Sequence, residues 1–217
     1  MSKHLVLTKR AGRPRAADLQ KRTEELLSIA EAALIEFGYE RATLDLISRK
    51  AGVSKQTIYA KYGGKPGLLQ AVLQRIADRS LGAKFADTDD LSLYDGLYER
   101  ARTVLNLNRT AASIAITAIS VRESQRFPEF RQAMLEAKKL RQQEPLRRYL
   151  ESFLRRGLIR TVDCDEVASL FLWLLAEDMV NAVATGEALP RTQEEIDRKA
   201  AFVASLISRG ISRQQVD

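Results

Sequence analysis

Residues 43–65, TLDLISRKAGVSKQTIYAKYGGK, carry the local signals for two short helices around a tight turn, and few folds accommodate that pair. Thr43 offers a side-chain oxygen to an orphan amide of a first helix, and Asp45 sits favourably in its positive first turn. Ile47 and Ala51 share one face of that helix, and Gly52 supplies the left-handed backbone that ends it. Val53 fills the angle between the helices, Ser54 caps the second one, and Ile58 turns inward as its anchor. The spacing predicts a helix-turn-helix whose outward face carries Lys55, Gln56, Thr57, Tyr59 and Lys61.

Those outward side chains suit duplex DNA. Near the start of a recognition helix, Lys55 can donate to guanine O6 and N7, Gln56 can pair with adenine through two hydrogen bonds, and Thr57 offers a hydroxyl and a methyl. Ser54, at the head of the same helix, is counted with this contacting set. Tyr59, Lys61 and Lys65 suit phosphate oxygens, which position a protein on DNA without reading sequence. The same helix pair also serves as a plain packing corner in other folds, so the charge around it matters.

That charge is concentrated. Residues 1–66 hold 13 Lys and Arg against 7 Asp and Glu, leaving 22 against 21 for the rest of the 217-residue chain. A basic N-terminal quarter joined to a neutral body is the electrostatic footprint of a nucleic-acid reader with a second, non-DNA domain. An apolar content of 45% gives that body a real core. The division expected is a basic arm at 1–17, a helix-turn-helix domain at 18–64, and a helical domain at 65–217 whose first helix links the two. In the arm, Arg13 and Arg15 flank Pro14 and can enter a narrow minor groove; the competing description is a solvated tail. Asp18 opens the first long helix, in which Leu26, Ala30, Ala33, Leu34 and Phe37 trace one face up to Gly38.

Several classes of chemistry are disfavoured. One cysteine, Cys164, makes no internal disulfide, and one histidine, His4, completes no His/Cys metal cluster. No glycine-rich phosphate loop and no Ser/His/Asp or Cys/His set is present, so no cofactor is expected. The N-terminus lacks a secretory apolar region and no uninterrupted apolar run reaches membrane-spanning length, which predicts a cytoplasmic protein with no membrane contact.

FGYERATL before the motif, the opening from Thr43 to Ile47, AGVS at 51–54, TIY at 57–59, Tyr62 and Lys65 together resemble the N-terminal domain of TetR-type (tetracycline-repressor-like) regulators, over about residues 22–72. The resemblance implies phosphate contact from Thr43, Tyr59 and Lys65, base reading from around Lys55 to Thr57, and an inward aromatic at Tyr62, which could instead serve as a phosphate ligand. Two departures stand out. Ser48 occupies a position where the family has Ala, and Pro66-Gly67 replaces a more helix-friendly pair.

Beyond Lys65 apolar residues recur at three and four, which predicts an all-α body with helices near 65–84, 91–107, 109–123, 128–156, 164–185 and 193–209. Pro145 must kink or split the 128–156 helix. Asp163 with Glu166, and Thr192 with Glu195, have capping-box spacing at the last two starts, and 186–192 is a linker. ISVRESQRFPEF and RGLIRTVDCDEVASLFLWLLA resemble the ligand-binding half of one branch of the same family, which implies a small-molecule pocket in the middle helices and a four-helix dimer interface from the last two. Independently, helix 164–185 is apolar on more than one face, so a homodimer is expected; Ile196, Ala200, Val203 and Ile207 supply its partner stripe. Pocket candidates are Leu105, Ile116, Ile119, Phe127, Phe130, Met134 and Trp173, each of which also fits plain core packing. Glu177 and Asp178 either face a cationic ligand or make surface and interface pairs.

The function expected is a ligand-responsive transcriptional regulator, a repressor by family habit, that binds a palindromic operator as a dimer and is released by an unknown small-molecule effector. The alternative is a helical enzyme or lipophilic-ligand carrier with a basic surface segment.

Overall fold

Leu26, Ala30, Ala33 and Leu34 lie on one face of the first helix and are all buried, because that face covers the helix-turn-helix and the helix that follows it. The computed structural model describes residues 16–81, 90–185 and 192–213; the arm residues Arg13 and Arg15, and all of the expected 186–192 linker except Thr192, lie outside them. The described elements are α1 (Ala16–Arg41), α2 (Leu44–Ala51), α3 (Lys55–Tyr62), α4 (Lys65–Leu81), α5 (Leu93–Asn108), α6 (Ala111–Glu123), α7 (Pro128–Lys138), α8 (Glu144–Arg155), α9 (Cys164–Thr185) and α10 (Gln193–Ile211). Among the described residues all regular structure is helical, apart from an isolated antiparallel bridge between Ile159 and Ser212 that ties the α8–α9 turn to the end of α10.

The local signals explain the ends. Gly38 leaves helical geometry with φ 75° and ψ 174°, so α1 breaks there and closes with one further turn. Asp163 Oδ1 accepts from the amides of Asp165 and Glu166 at the start of α9. Thr192 and Glu195 make the full reciprocal capping box at α10. The expected 128–156 helix splits: Pro145 has no amide to give, and the turn before it, Lys139–Gln143, widens into a π-helical turn in which the Glu144 amide reaches the Lys139 carbonyl.

α1 to α4 enclose one part of the core, with Ile47, Ile58, Leu68 and Val72 buried together. α5 and α10 pack along their length in the body, Leu97, Ala101 and Val104 against Ile196, Ala200, Val203 and Ala204. α4 belongs to both. Its Arg75 and Arg79 grip the buried Glu31 of α1, its Gln70 donates to Glu136 of α7 at 2.8 Å, and its Asp78 pairs with Arg141 at 3.1 Å.

By length and composition α9 is apolar and long enough to cross a membrane, since its 22 residues include an 18-residue window of mean hydropathy 1.5, although Glu177 and Asp178 interrupt its apolar run. Its Ala168, Phe171, Leu172 and Leu175 are nevertheless packed inside the body. Core helices pass the same test.

Candidate functional site

Thr43 and Ser54 cap the two helices as their positions require. Thr43 Oγ1 accepts from the Leu46 amide at 3.2 Å, and Ser54 Oγ accepts from the Thr57 amide at 3.0 Å. Between the helices Gly52 adopts φ 63°, ψ 28° and returns its amide to the Ser48 carbonyl. Ile58 is fully buried, which fixes the rotation of α3 and leaves Ser54, Lys55, Gln56, Thr57, Tyr59 and Lys61 exposed together. Tyr59 is 58% exposed, unusual for a large aromatic with no packing duty.

Within this face the side chains differ in readiness. Gln56 has no hydrogen-bond partner among the described residues, so its amide is free for a base edge. Lys55 is held at 2.8 Å by Asp45 of α2; the pair depresses the Asp45 carboxyl and raises the lysine, each mainly through their mutual hydrogen bond. Thr57 Oγ1 shares a hydrogen bond with Ser54 Oγ at 2.9 Å, and Lys61 donates to Thr23 Oγ1 of α1.

Lys65 is placed differently. Its ammonium donates to the Glu40 carbonyl at 3.1 Å and lies 4.2 Å from the centre of the Tyr39 ring, and burial pulls its pKa below the usual lysine value. It joins α4 to the end of α1. The Tyr62 hydroxyl is buried without a partner and burial pushes its pKa up, so Tyr62 is a packing residue. Ser48 is buried and donates to the Asp45 carbonyl at 3.2 Å, which satisfies the hydroxyl inside the helix crossing. Gly67 has a positive reason to be glycine: a Cβ there would sit 1.8 Å from the Tyr62 carbonyl oxygen, so α4 could not start this close to the end of α3.

α4 carries that contact into the body. Leu68, Leu69 and Val72 pack against α1 to α3, and Leu73, Ile76 and Ala77, further along, form one wall of a cavity of about 250 Å³. Val104 and Leu107 of α5, Ile116 and Thr117 of α6, Met134 and Lys138 of α7, Gln142, and Leu172 and Met179 of α9 close the other walls. Sequence reasoning missed most of this set.

Of the seven pocket candidates, Ile116 and Met134 line the cavity. Leu105 and Ile119 are buried elsewhere. Phe127 and Phe130 instead flank Tyr39, with ring centres 5.3 and 5.1 Å away, where the α6–α7 corner meets the end of α1. Trp173 points the other way and is 59% exposed, because Leu172 and Ala176 occupy the inward phase of α9. Neither Glu177 nor Asp178 lines the cavity: Glu177 is exposed, and Asp178 bonds Lys199 of α10.

The outer faces of the last two helices carry Leu170, Trp173 and Val180 on α9, and Phe202 and Leu206 on α10. The stripe expected to meet a second subunit, Ile196, Ala200, Val203 and Ile207, is buried against this subunit's own α5 and core. Hydrophobic spacing identifies an apolar face, but α10 has two, and α5 occupies the more continuous one.

A helix-turn-helix with an exposed polar face, carried on a helical body with a partly open apolar cavity, defines the class of helical transcriptional regulators. Residues 26–72 match the family described as bacterial regulatory proteins, tetR family, and residues 95–207 match the AefR-like transcriptional repressor C-terminal domain. The chain belongs to the TetR family of transcriptional regulators, and is not an enzyme. Among curated relatives, the HTH-type transcriptional regulator SrpR of Pseudomonas putida is 35% identical over 81 residues, 37% of this chain and 37% of SrpR, so the match spans well under two thirds of that relative. In fold, the chain is similar to a TetR-family regulator from Mesorhizobium loti, with TM-score 0.72 and 24% identity over 93% of this chain and all of the other. It is also similar to the flavonoid-responsive regulator FrrA, with TM-score 0.68 and 23% identity over 90% of this chain and 99% of FrrA.

Proposed function

We propose that the chain is a repressor that binds a palindromic operator as a homodimer and lets go when a small-molecule effector fills the cavity. The observation that carries this reading is α4, one unbroken helix whose first half packs on the recognition helix and whose second half walls the cavity. A ligand that wedges Leu73, Ile76 and Ala77 therefore acts on the helix that sets the angle of α3. In a dimer the two α3 helices must lie about 34–36 Å apart, or a multiple, to enter successive major grooves. An effector that binds better to a state with another spacing weakens operator binding by the factor with which the operator weakens effector binding.

Lys55, Gln56 and Thr57 read bases in this scheme, Ser54, Tyr59 and Lys61 meet phosphates nearby, and Thr43 contacts phosphate from the head of α2. Lys65 supports them by holding α4 to α1. Arg13 and Arg15 reach the flanking minor groove from the arm. The exposed apolar faces of α9 and α10 support a four-helix dimer interface, which also accounts for the hydropathy of α9 without a bilayer. The working compartment is the cytoplasm, where the DNA is.

The test is a gel shift on genomic fragments across a range of salt. Saturable, sequence-selective binding at moderate salt with a palindromic consensus is expected, together with loss of operator release when the cavity is filled by Ala176→Trp. Uniform weak binding to all fragments would overturn the reading.

A further inference from the structure

The walls of the cavity are mostly apolar, and the polar groups among them are largely engaged by the protein itself. The Asn108 amide donates to the Leu175 carbonyl at 3.0 Å, and the Thr117 hydroxyl to the Met179 sulfur at 3.5 Å. Ser113 and Ser120 are bonded to Thr110 and Ser124. Two lining side chains differ. Lys138 and Gln142 have no hydrogen-bond or ion-pair partner among the described residues, and Lys138 is the one charged residue in the lining. Lys138 directly precedes the wide π-turn at Lys139–Gln143 and Gln142 lies within it, a deformation that recurs at functional sites.

An ammonium that is half-buried beside Ile76, Met134 and Leu172 with no counter-charge is costly to keep. Burial alone pulls the Lys138 pKa below the ordinary lysine value, with no neighbouring carboxylate opposing it. A neutral ligand leaves that cost in place and a cationic one adds to it. An anion removes it.

We propose that this cavity takes an anionic amphiphile, a compact apolar body bearing one carboxylate, with Lys138 as the charge anchor and Gln142 as a second donor. The proposal rests on the effector-cavity reading above and names the chemical class of ligand for it. The apolar body lies against Leu73, Ile76, Ile116 and Leu172, and the carboxylate meets the ammonium at the mouth of the π-turn. Charge-assisted hydrogen bonding in a desolvated site makes the contact selective as well as favourable.

Matched probes test it. Straight-chain carboxylates from hexanoate to dodecanoate and their primary amides differ only in the charged end, and binding of each to the full chain is measured by calorimetry. The tightest carboxylate is expected to bind at least about tenfold more strongly than its amide. In Lys138→Met that preference disappears while amide binding is kept, and Gln142→Leu weakens the carboxylate severalfold. The preference also shrinks as pH rises through the lowered lysine pKa, because the ammonium is present only below it. Equal binding of acid and amide, or an acid preference that survives in Lys138→Met, overturns the anion anchor and leaves the cavity reading standing. Binding of both series that persists in Ala176→Trp places the ligands outside the cavity and overturns both. Failure of every probe to bind the unmodified chain overturns the proposal, with the cavity reading then resting on the operator assay.

Discussion

Arg126 meets Glu40 end-on, its Nη1 and Nη2 each donating to one carboxylate oxygen at 2.7 Å, across 86 residues of sequence. Beside them Glu123 accepts from the Glu40 amide at 3.1 Å, so the α6–α7 corner of the body holds the end of α1 by side chain and backbone at once. Gly38 makes that approach possible. With φ 75°, a Cβ there would lie 2.5 Å from the Glu123 carboxylate. Gly38→Ala is therefore expected to cost about 1–3 kcal/mol in urea denaturation, from backbone strain and the displaced carboxylate.

Arg126→Ala should behave differently. The pair is more than half exposed on the arginine side, so its loss is expected to change global stability by less than about 1 kcal/mol. What should change is local opening: amides at 38–43 exchange faster while the urea midpoint stays in place. Unchanged exchange in that segment would mean the corner is held by Tyr39, Phe127 and Phe130 alone.

Gln56→Ala is expected to alter preference at one base position by about 1–3 kcal/mol, since its amide is exposed and uncommitted. Lys65→Ala should weaken all sites alike and also lower stability, because it releases the Glu40 carbonyl and the Tyr39 ring. A library of operator variants measured against both mutants separates the two roles. Equal scaling across the library would refute the division.

Lys55 must leave Asp45 before it can reach a base, so Asp45→Asn is expected to raise DNA affinity, least where Lys55 makes no base contact. Acid will not substitute for the mutation. The Asp45 pKa is depressed, so the ion pair is present above the ordinary carboxylate pKa and is lost only as pH falls through the depressed value, below the range in which operators are assayed. Gel shifts with Asp45→Asn at neutral pH decide it, and weaker binding would show that the pair orders the recognition helix.

Phe202→Asp and Val203→Asp are neighbours in sequence with opposite expected outcomes. Phe202 is 66% exposed, so the aspartate should split the dimer and leave a folded monomer with weak operator binding. Val203 is 1% exposed against its own core, so a carboxylate there should cost several kcal/mol and unfold the subunit. Sedimentation and circular dichroism on the two variants check this; a normal dimer from Phe202→Asp would locate the interface elsewhere.

The sequence by itself determined the elements whose cause is local. Thr43, Gly52 and Ser54 fix the two short helices through hydrogen bonds within three or four residues, and Thr192 with Glu195 fixes the start of α10 in the same way. Pro145 announced a break because a missing amide has no remedy within the chain. The tertiary structure alone decided which of two apolar faces turns inward. α10 carries Val203 toward α5 and Phe202 toward solvent, a difference of one residue and about 100° of rotation, and only the competing helix settles it. The same holds for α9, where Leu172 reaches the cavity and Trp173 does not. Lys138 shows the limit most clearly. In sequence it is a basic residue at a helix C-terminus, where the helix dipole favours it anyway, and its isolation comes from apolar side chains on α4, α5, α6 and α9 that lie far away in the chain. Caps and breaks are written in neighbouring residues; burial, and the chemistry that burial creates, exists only once distant segments have met.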